Sequence, residues 1–487
     1  MNKIIPSIKK ILPENRFARS VSVLAGGTAA GQLIVIAASP ILTRLYTPED
    51  FGLLAVYTGI LGILGVVASL RYQLAIPLPE SDKDAASIAL LSLLIVVFTT
   101  LITTVAVWLI GPEIADLLNT PALEPYLWLV PIGLFLTGTY QVFQYWAIRT
   151  QEFSNIARTR LTQSLGMVVT QIAGYALGPI ALLLGRGVGQ GAGMLALMRS
   201  ALRHSPKEFE EASSQSIRRN AREHKHFPLV SIWTGLASAG GSNIPPILIA
   251  AFLGVGPAGM FALSHRVLSQ PMAIIGRAVG DVFYREAAEA HRKGKLGQTV
   301  DRVYSSLSVL MLPPAVAVFL VVPEVFVFVF GDEWGEAGEI ARWMVPWLFF
   351  QLVVTPSTRV FPILGLHGIA LRFQLSLLFS TVFSIILGSW VLKDLVLTVI
   401  LISFLNASIY LCRAIHTYGL VGLKKLRPVL VLIKTAPLAL LCNAPLVALL
   451  VWYEKIIDTD FINVLFISIS LIALITSTIL SFNKVKA

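Results

Sequence analysis

The sequence is poor in charged residues and in cysteine. Only 13% of its 487 residues are charged, and it contains two cysteines, Cys412 and Cys442, both in apolar runs. Two such cysteines provide neither a disulfide framework nor the spacing of a metal site, and we expect no metal and no cofactor. A Gly-rich loop ending in Lys-Ser or Lys-Thr is also missing from the sequence, so P-loop ATP hydrolysis is not encoded here.

Apolar residues dominate the chain instead. They make up 55% of it, and the mean hydropathy is +0.76, far outside the range of soluble domains. The net charge of +11 comes from 38 Lys and Arg spread along the chain, a pattern typical of orientation signals and not of a nucleic-acid-binding face. The sequence therefore predicts a polytopic membrane protein that does not bind nucleic acid.

About 20 apolar residues are needed to cross a bilayer as a helix. On that criterion the chain has about fourteen candidate spans, and continuous apolar runs favour helices over the alternating strands of a β-barrel. The spans are 21–45, 51–70, 86–110, 126–148, 161–177, 179–200, 228–253, 256–283, 303–330, 341–365, 371–392, 395–411, 429–453 and 461–482.

The charges of the connecting segments predict the orientation. If the N-terminus is cytoplasmic, Lys and Arg cluster on the cytoplasmic side, in 149–160 (with Arg158 and Arg160), 203–225, 285–295 and 413–427. The opposite segments carry mainly Asp and Glu. The positive-inside rule then places both termini in the cytoplasm, and we interpret the basic N-terminal segment as retained, not as a signal peptide.

A polar segment at 203–226 divides the chain, and short fragments recur on either side of it. An ordinary charged loop would have the same composition, so the repeat is the stronger indication of two lobes. Residues 52–55, 128–131 and 156–157 resemble 259–262, 343–346 and 369–370, and each match pairs one span with the span six later. We predict an N-terminal lobe (1–202), a cytoplasmic linker (203–227), a C-terminal lobe (228–412) and two additional spans (413–487). Because six is even, the repeat is parallel, and a site is expected between the halves.

Four arginines lie within apolar stretches: Arg186, Arg266, Arg277 and Arg359. An arginine at the centre of a membrane helix costs roughly 2.5–3.5 kcal/mol on insertion scales, so such residues usually face a protein interior or a watery cavity. At 100° per residue, Arg266 and Arg277 share one face of span eight with Gln270. Together they predict a site for an anionic cargo.

Structural explanations remain open for three of these arginines. Arg277 could pair with Asp281, four residues later on the same helix. Arg186 and Arg359 could extend toward the lipid headgroups at the two membrane surfaces. In span one, Gln32 and nearby Thr and Ser side chains could serve as helix-packing contacts.

Several segments resemble bacterial polysaccharide biosynthesis membrane proteins. They include His226-Phe227-Pro228-Leu229, Asn243-Ile244-Pro245-Pro246, Gly259-Met260-Phe261-Ala262-Leu263, Arg266-Val267-Leu268, Asp281-Val282-Phe283-Tyr284-Arg285-Glu286, Leu42-Thr43-Arg44-Leu45-Tyr46 and Leu70-Arg71-Tyr72. On these motifs the chain is similar to the Wzx-type oligosaccharide flippases of the MOP superfamily, which also contains the MATE exporters and the lipid II flippases. Position 73 is Gln where many relatives are expected to carry an acid.

The resemblance implies two six-helix lobes in a MATE-like arrangement, in the bacterial inner membrane. It implies a flippase, not an enzyme, that moves undecaprenyl-pyrophosphate-linked oligosaccharides from the cytoplasmic to the periplasmic leaflet by alternating access through a cationic central cavity. Guanidinium groups suit a pyrophosphate, so the expected pyrophosphate site is Arg266 with Arg186, Arg277 and Arg359. Gln32, Gln190 and Gln270 are expected to contact sugar hydroxyls. Further expected partners are membrane lipids, a polysaccharide polymerase and chain-length machinery.

Two rival functions remain open. A MATE-like drug or cation exporter is expected to carry a membrane-buried acid, whereas the clearest acids within spans, Asp281 and Glu324, lie near span ends. A glycan polymerase or ligase is expected to need a large periplasmic loop, and every outward segment in this chain is short.

Overall fold

The computed structural model describes residues 16–453, which form long helices with short connections. Within this range we number thirteen helices at the positions of the first thirteen predicted spans. They are α1 Arg16–Leu45, α2 Pro48–Val67, α3 Asp82–Leu117, α4 Leu129–Arg149, α5 Phe153–Ala173, α6 Pro179–His204, α7 Ile232–Leu253, α8 Val255–Arg292, α9 Leu296–Phe330, α10 Gly335–Val354, α11 His367–Ile385, α12 Leu395–Leu420 and α13 Arg427–Tyr453. The fourteenth predicted span, 461–482, lies outside the described residues.

Short helical segments join these helices. Two short helices, Pro206–Glu210 and Ser214–Glu223, form the polar segment between α6 and α7, and we call the second one the linker helix. Single turns follow α2 (Tyr72–Ala75), α3 (Pro121–Tyr126), α5 (Tyr175–Leu177), α9 (Asp332–Trp334) and α10 (Pro356–Arg359, then Val360–Ile363). Wider turns occur at Phe227–Ser231 and Ile386–Leu392.

Nine helices in the described range are long and apolar enough to cross a membrane. The four numbered helices outside that set are α4, α5, α8 and α10. Three of them carry arginines in their interior, α5 at Arg158 and Arg160, α8 at Arg266 and Arg277, and α10 at Arg342. Polar residues on a membrane helix usually face the interior of the bundle. The chain is thus an all-α polytopic membrane protein.

Local chemistry sets several helix ends. At the start of α2, the Thr47 side chain accepts a hydrogen bond from the Asp50 amide (3.3 Å), and the Asp50 carboxylate accepts one from the Thr47 amide (3.1 Å). This capping box satisfies two amides that a helix start would otherwise leave unpaired. The turn from α5 into α6 passes through Gly178 at a φ of +71°, a conformation that favours glycine.

The chain forms two compact units, Met1–Ile247 (unit 1) and Leu248–Ala487 (unit 2). In unit 1, α5 packs on α1 and α6, and α4 packs on α2, α3 and α6. In unit 2, α10 packs on α8, α9 and α12, and α11 packs on α12. The α2–α4, α3–α4, α4–α6 and α5–α6 contacts thus recur six helices later, the period of the sequence repeat. The predicted lobe boundaries themselves remain a prediction.

Two predicted span boundaries need correction. Helix α5 begins at Phe153 and not at 161, so Arg158 and Arg160 belong to a helix and not to a connecting segment. A search for apolar runs starts only after the arginines, although arginine is a good helix former. Helix α10 ends at Val354, just before Pro356, and the chain continues as a single turn, so Arg359 lies beyond the helix and not inside a span.

Candidate functional site

Two arginines of unit 1 lie on adjacent antiparallel membrane helices. Arg160 of α5 and Arg186 of α6 each follow the start of their helix by seven residues, about 10 Å at 1.5 Å per residue. The charge of Arg160 acts unfavourably on that of Arg186, and Arg160 is half-buried whereas Arg186 is exposed. Arg186 is also close to the hydroxyl group of Tyr57 on α2, a buried side chain that donates a hydrogen bond to the Leu129 carbonyl (3.2 Å).

Among the helices around this pair, α2 carries Glu49 and Asp50 in its first turn, and the other four contain no carboxylate. Helix α1 packs on α5, α5 packs on α6 and α6 packs on α4, and none of these four sequences includes Asp or Glu. Among residues 16–453, neither Arg160 nor Arg186 forms an ion pair. Two like charges without a counter-ion repel strongly where water is scarce. This arrangement can accept an anion.

Arg160 is held by an aromatic ring and by an amide. Its Cζ lies 5.4 Å from the centroid of the Tyr140 ring, and Nη2 donates to Gln144 Oε1 over 3.5 Å. Within the described part of the chain, Arg160 Nε and the Tyr140 hydroxyl are buried and have no hydrogen-bond partner. Unpaired buried donors of this kind are rare, and a ligand or water is the usual reason for them.

Close packing between helices brings three glutamines to the same region. A Cβ added to Gly31 of α1 would lie 2.9 Å from the Arg160 carbonyl oxygen, and one added to Gly189 of α6 would lie 2.5 Å from the Gln163 carbonyl oxygen. In the sequence, Gln32 directly follows Gly31 and Gln190 directly follows Gly189. In the described residues, Gln32 Oε1 and Gln163 Nε2 are buried without a hydrogen-bond partner. We call Arg160, Arg186, Gln32, Gln163 and Gln190 the arginine cluster.

A polar cavity of about 370 Å³ lies elsewhere in unit 1, between the end of α2 and the first half of α7. Arg71 lines it, with Thr234, Ser238 and Asn243. The Arg71 backbone has a φ of +67°, which is strained for a residue with a Cβ, and its Nε is buried without a hydrogen-bond partner. Such a combination is common at binding sites.

Gln73 follows Arg71 and is almost completely buried. Its Oε1 accepts a hydrogen bond from Ser69, and its Nε2 donates one to Gln141 Oε1 (3.1 Å). An amide can donate and accept at once, whereas an ionised acid only accepts. The departure from an acid at position 73 therefore fits a neutral hydrogen-bonded network.

The other predicted arginines belong to unit 2. On α8, Arg266 and Gln270 are half-buried and Arg277 is exposed, and Arg277 Nε donates to the Ala273 carbonyl (3.0 Å). Next to Arg266, His265 stacks between the rings of Phe261 (6.0 Å) and Trp347 (5.6 Å). This stack joins α8 to α10 at the level of Arg266.

The basic partner of Asp281 is Arg359. The two charged groups are 3.6 Å apart, whereas the Arg277–Asp281 pair considered from the sequence is not formed. Arg359 Nε also lies 3.7 Å from where a Gly280 Cβ would be. Arg359 is therefore partly neutralised at the end of α10, next to the last turns of α8.

We predict a small energetic role for this pair. Both side chains are about half exposed or more (48% for Arg359 and 66% for Asp281), and such pairs contribute about 0.2–1 kcal/mol. In a double-mutant cycle of Arg359→Gln and Asp281→Asn, measured by thermal unfolding, the coupling energy should fall in that range. A coupling energy of zero would show that the contact does not stabilise the protein.

The sequence predicts Arg186, Gln32 and Gln190 as site residues, but it does not single out Arg160, Gln163 and Arg71, which the structure adds as candidates. Arg160 was assigned to a cytoplasmic connection because it precedes the apolar part of α5. A helical face is the signal that could have found it, since Arg160 and Gln163 are three residues apart. Among the described residues, no group of His, Cys, Asp or Glu is placed to hold a metal ion.

The chain is similar to proteins of surface polysaccharide synthesis. Residues 41–339 match the family model described as polysaccharide biosynthesis protein. Over 337 residues, the chain is 23% identical to the succinoglycan biosynthesis transport protein ExoT of Rhizobium meliloti (strain 1021). That alignment covers 67% of this chain and 64% of the relative, which is less than two thirds of the relative's length.

Solved structures show the same fold. The inward closed conformation of the lipid II flippase MurJ matches with a TM-score of 0.72 and 11% identity, over 95% of this chain and 99% of that one. An inward-facing multidrug resistance MATE family transporter of the MOP superfamily matches with a TM-score of 0.55 and 13% identity, over 82% of this chain and 93% of that one. The predicted MATE-like all-α fold is confirmed. Because the family model covers more than half of its residues, the chain belongs to the polysaccharide biosynthesis protein family.

Proposed function

We propose that the chain is a flippase for a lipid-linked oligosaccharide. It carries an oligosaccharide attached to undecaprenyl pyrophosphate from the cytoplasmic to the periplasmic leaflet of the bacterial inner membrane, for the synthesis of a surface polysaccharide. Transport proceeds by alternating access through a cationic central cavity, and no covalent bond of the cargo is changed.

One observation supports this proposal above the others: Arg160 and Arg186 carry like charges that repel each other, and neither forms an ion pair among residues 16–453. Helices α1, α4, α5 and α6 contain no Asp or Glu. A pyrophosphate would remove this repulsion and accept forked hydrogen bonds from both guanidinium groups. A cationic drug would add to the repulsion. The cluster therefore favours an anionic cargo over the cargo of a multidrug exporter.

The amides of the arginine cluster suit the sugar part of the cargo. Gln32 Oε1 can accept and Gln163 Nε2 can donate a hydrogen bond, and neither has a partner in the described residues. Gln190 lies one turn after Arg186 on the same face of α6. In unit 2, Gln270 is proposed for the same role, and Arg266, Arg277 and Arg359 as further contacts to the pyrophosphate. The lipid tail stays in the bilayer.

Neither an energy source nor the partner proteins are encoded in recognisable motifs. Transport is driven by an ion gradient or by removal of the product in the periplasm, where a polymerase and chain-length machinery would consume it. These partners are proposed from the resemblance alone.

Deletion of the gene tests the proposal. Lipid-linked glycans extracted from the deletion strain should contain an undecaprenyl-pyrophosphate oligosaccharide that accumulates in the cytoplasmic leaflet, and the surface polysaccharide should be lost. Expression of the intact gene should reverse both effects. Normal surface glycan together with increased sensitivity to cationic drugs would instead indicate a MATE-like exporter.

A further inference from the structure

A second group of arginines surrounds a cleft where the start of α5 meets the end of α6, and Arg160 follows Arg158 by two residues on α5. The cleft encloses about 320 Å³ between the start of α5 and the end of α6, and Arg158, Arg199 and Arg203 line it together with His204. All three arginines are exposed. It lies away from Arg186, which is in the first half of α6.

Some polar groups around the cleft are already paired with each other, whereas others have no acidic partner. Glu152, the acid nearest to it, accepts hydrogen bonds from Asn155 (2.6 Å) and Ser200 (2.6 Å) and lies 4.0 Å from the His204 ring. These groups satisfy one another. Among residues 16–453, by contrast, Arg158, Arg199 and Arg203 have no acidic partner. Three guanidinium groups therefore remain available for a phosphate.

Both helices carry exposed aliphatic side chains deeper in the membrane than these arginines. On α6, Leu195 (40% exposed) lies one turn before Arg199 on the same face. On α5, Leu165 (50% exposed) and Val169 (61% exposed) follow Arg158 by seven and eleven residues, which is also one face. A cationic rim with an apolar wall below it matches an anionic phospholipid, whereas a soluble anion would use the rim alone.

We propose that this cleft binds the headgroup of an anionic phospholipid, with its phosphate between Arg158, Arg199 and Arg203 and its acyl chains along Leu165, Val169 and Leu195. The orientation predicted from the loop charges places the cleft at the cytoplasmic leaflet. Basic pockets between membrane helices on this side of a membrane are known to hold such headgroups.

Lipid titration of the purified full-length protein tests the proposal. Binding of phosphatidylglycerol and of phosphatidylcholine is measured by native mass spectrometry for the intact protein and for Arg199→Gln/Arg203→Gln. The matched control is Arg218→Gln/Arg222→Gln, which removes the same charge from exposed positions of the linker helix. The cleft variant should bind phosphatidylglycerol about 30-fold more weakly, since each arginine contributes about fivefold, or about 1 kcal/mol. The control should change less than about twofold.

Three results would overturn the proposal. Equal losses of phosphatidylglycerol affinity in the cleft and control variants would indicate a general charge effect. Equal binding of phosphatidylglycerol and phosphatidylcholine would show that the cleft does not recognise the anionic headgroup. Displacement of phosphatidylglycerol by millimolar inorganic phosphate would indicate a site for a free anion. Arg199→Lys/Arg203→Lys keeps the charge and provides a second test in case the Gln variant misfolds. It should retain at least about a third of the affinity, and binding as weak as that of the Gln variant would contradict the role of the cations.

Discussion

Replacement of Arg186 by Gln is expected to abolish export of the surface polysaccharide while the protein remains in the membrane. A hydrogen bond to a charged group contributes about 1.5–3 kcal/mol, so transport should fall roughly 10- to 150-fold. Because Arg186 and Arg160 repel each other, removal of one charge should leave thermal stability unchanged or raise it. Polysaccharide production and the unfolding temperature are measured on the same variant.

A loss of transport without a loss of stability distinguishes a role in cargo binding from a structural role. Arg160→Gln should behave in the same way, and Arg186→Lys, which keeps a charge but loses the forked donor, should retain part of the activity. Arg218→Gln, on the exposed linker helix, is the control and should export normally. If the amount of Arg186→Gln in the membrane falls in proportion to export, Arg186 is structural and the anion site is wrong.

Substitution of Gly189 by Ala is expected to cause the second large effect, a loss of stability. The new Cβ would meet the Gln163 carbonyl oxygen at 2.5 Å, and a backbone atom cannot turn aside as a side chain can. Overpacking of this kind typically costs about 1–3 kcal/mol. The unfolding temperature of the purified protein should therefore fall, and transport should fall with it because α5 and α6 carry the arginine cluster.

Gly187→Ala is the matched control for this substitution. Gly187 lies two residues away on the same helix, and nothing lies within 4 Å of its added Cβ. Alanine is favoured over glycine in a helix by about 1 kcal/mol, so this variant should be as stable as the natural protein or more stable. Equal destabilisation by both substitutions would show that helix propensity or membrane insertion, and not the α5–α6 contact, sets the result.

Much of the fold could be predicted from the sequence because membrane crossing requires long apolar helices. Thirteen of the predicted spans coincide with helices in residues 16–453, and the six-span period agrees with the recurring helix contacts. The predicted boundaries are wrong where the ends of an apolar run differ from the ends of the helix. The start of α5 is polar and still helical, whereas the apolar run of span ten is interrupted by Pro356.

The candidate site was harder to predict. A sequence shows which charged residues lie in apolar stretches, but it does not show which side chains contact each other. Arg277 and Asp281 have ideal helical spacing, yet Asp281 pairs with Arg359, 78 residues further along the chain. Arg160 and Arg186 lie on neighbouring helices because glycines such as Gly185 and Gly189 let α5 and α6 approach closely. The unpartnered polar atoms of Gln163 and Arg71 likewise depend on neighbours from other helices.

The central claim is that the chain moves an anionic lipid-linked glycan by means of the arginine cluster. Its most direct test uses the lipid-linked glycan isolated from the deletion strain, incorporated into one leaflet of liposomes that contain the purified full-length protein. Access of a sugar-modifying reagent to the opposite leaflet is then followed over time. The account predicts rapid protein-dependent exposure of the glycan, slowed at least about tenfold by Arg160→Gln or Arg186→Gln. Exposure at the rate of protein-free liposomes, or equal rates for the natural protein and both variants, would contradict it.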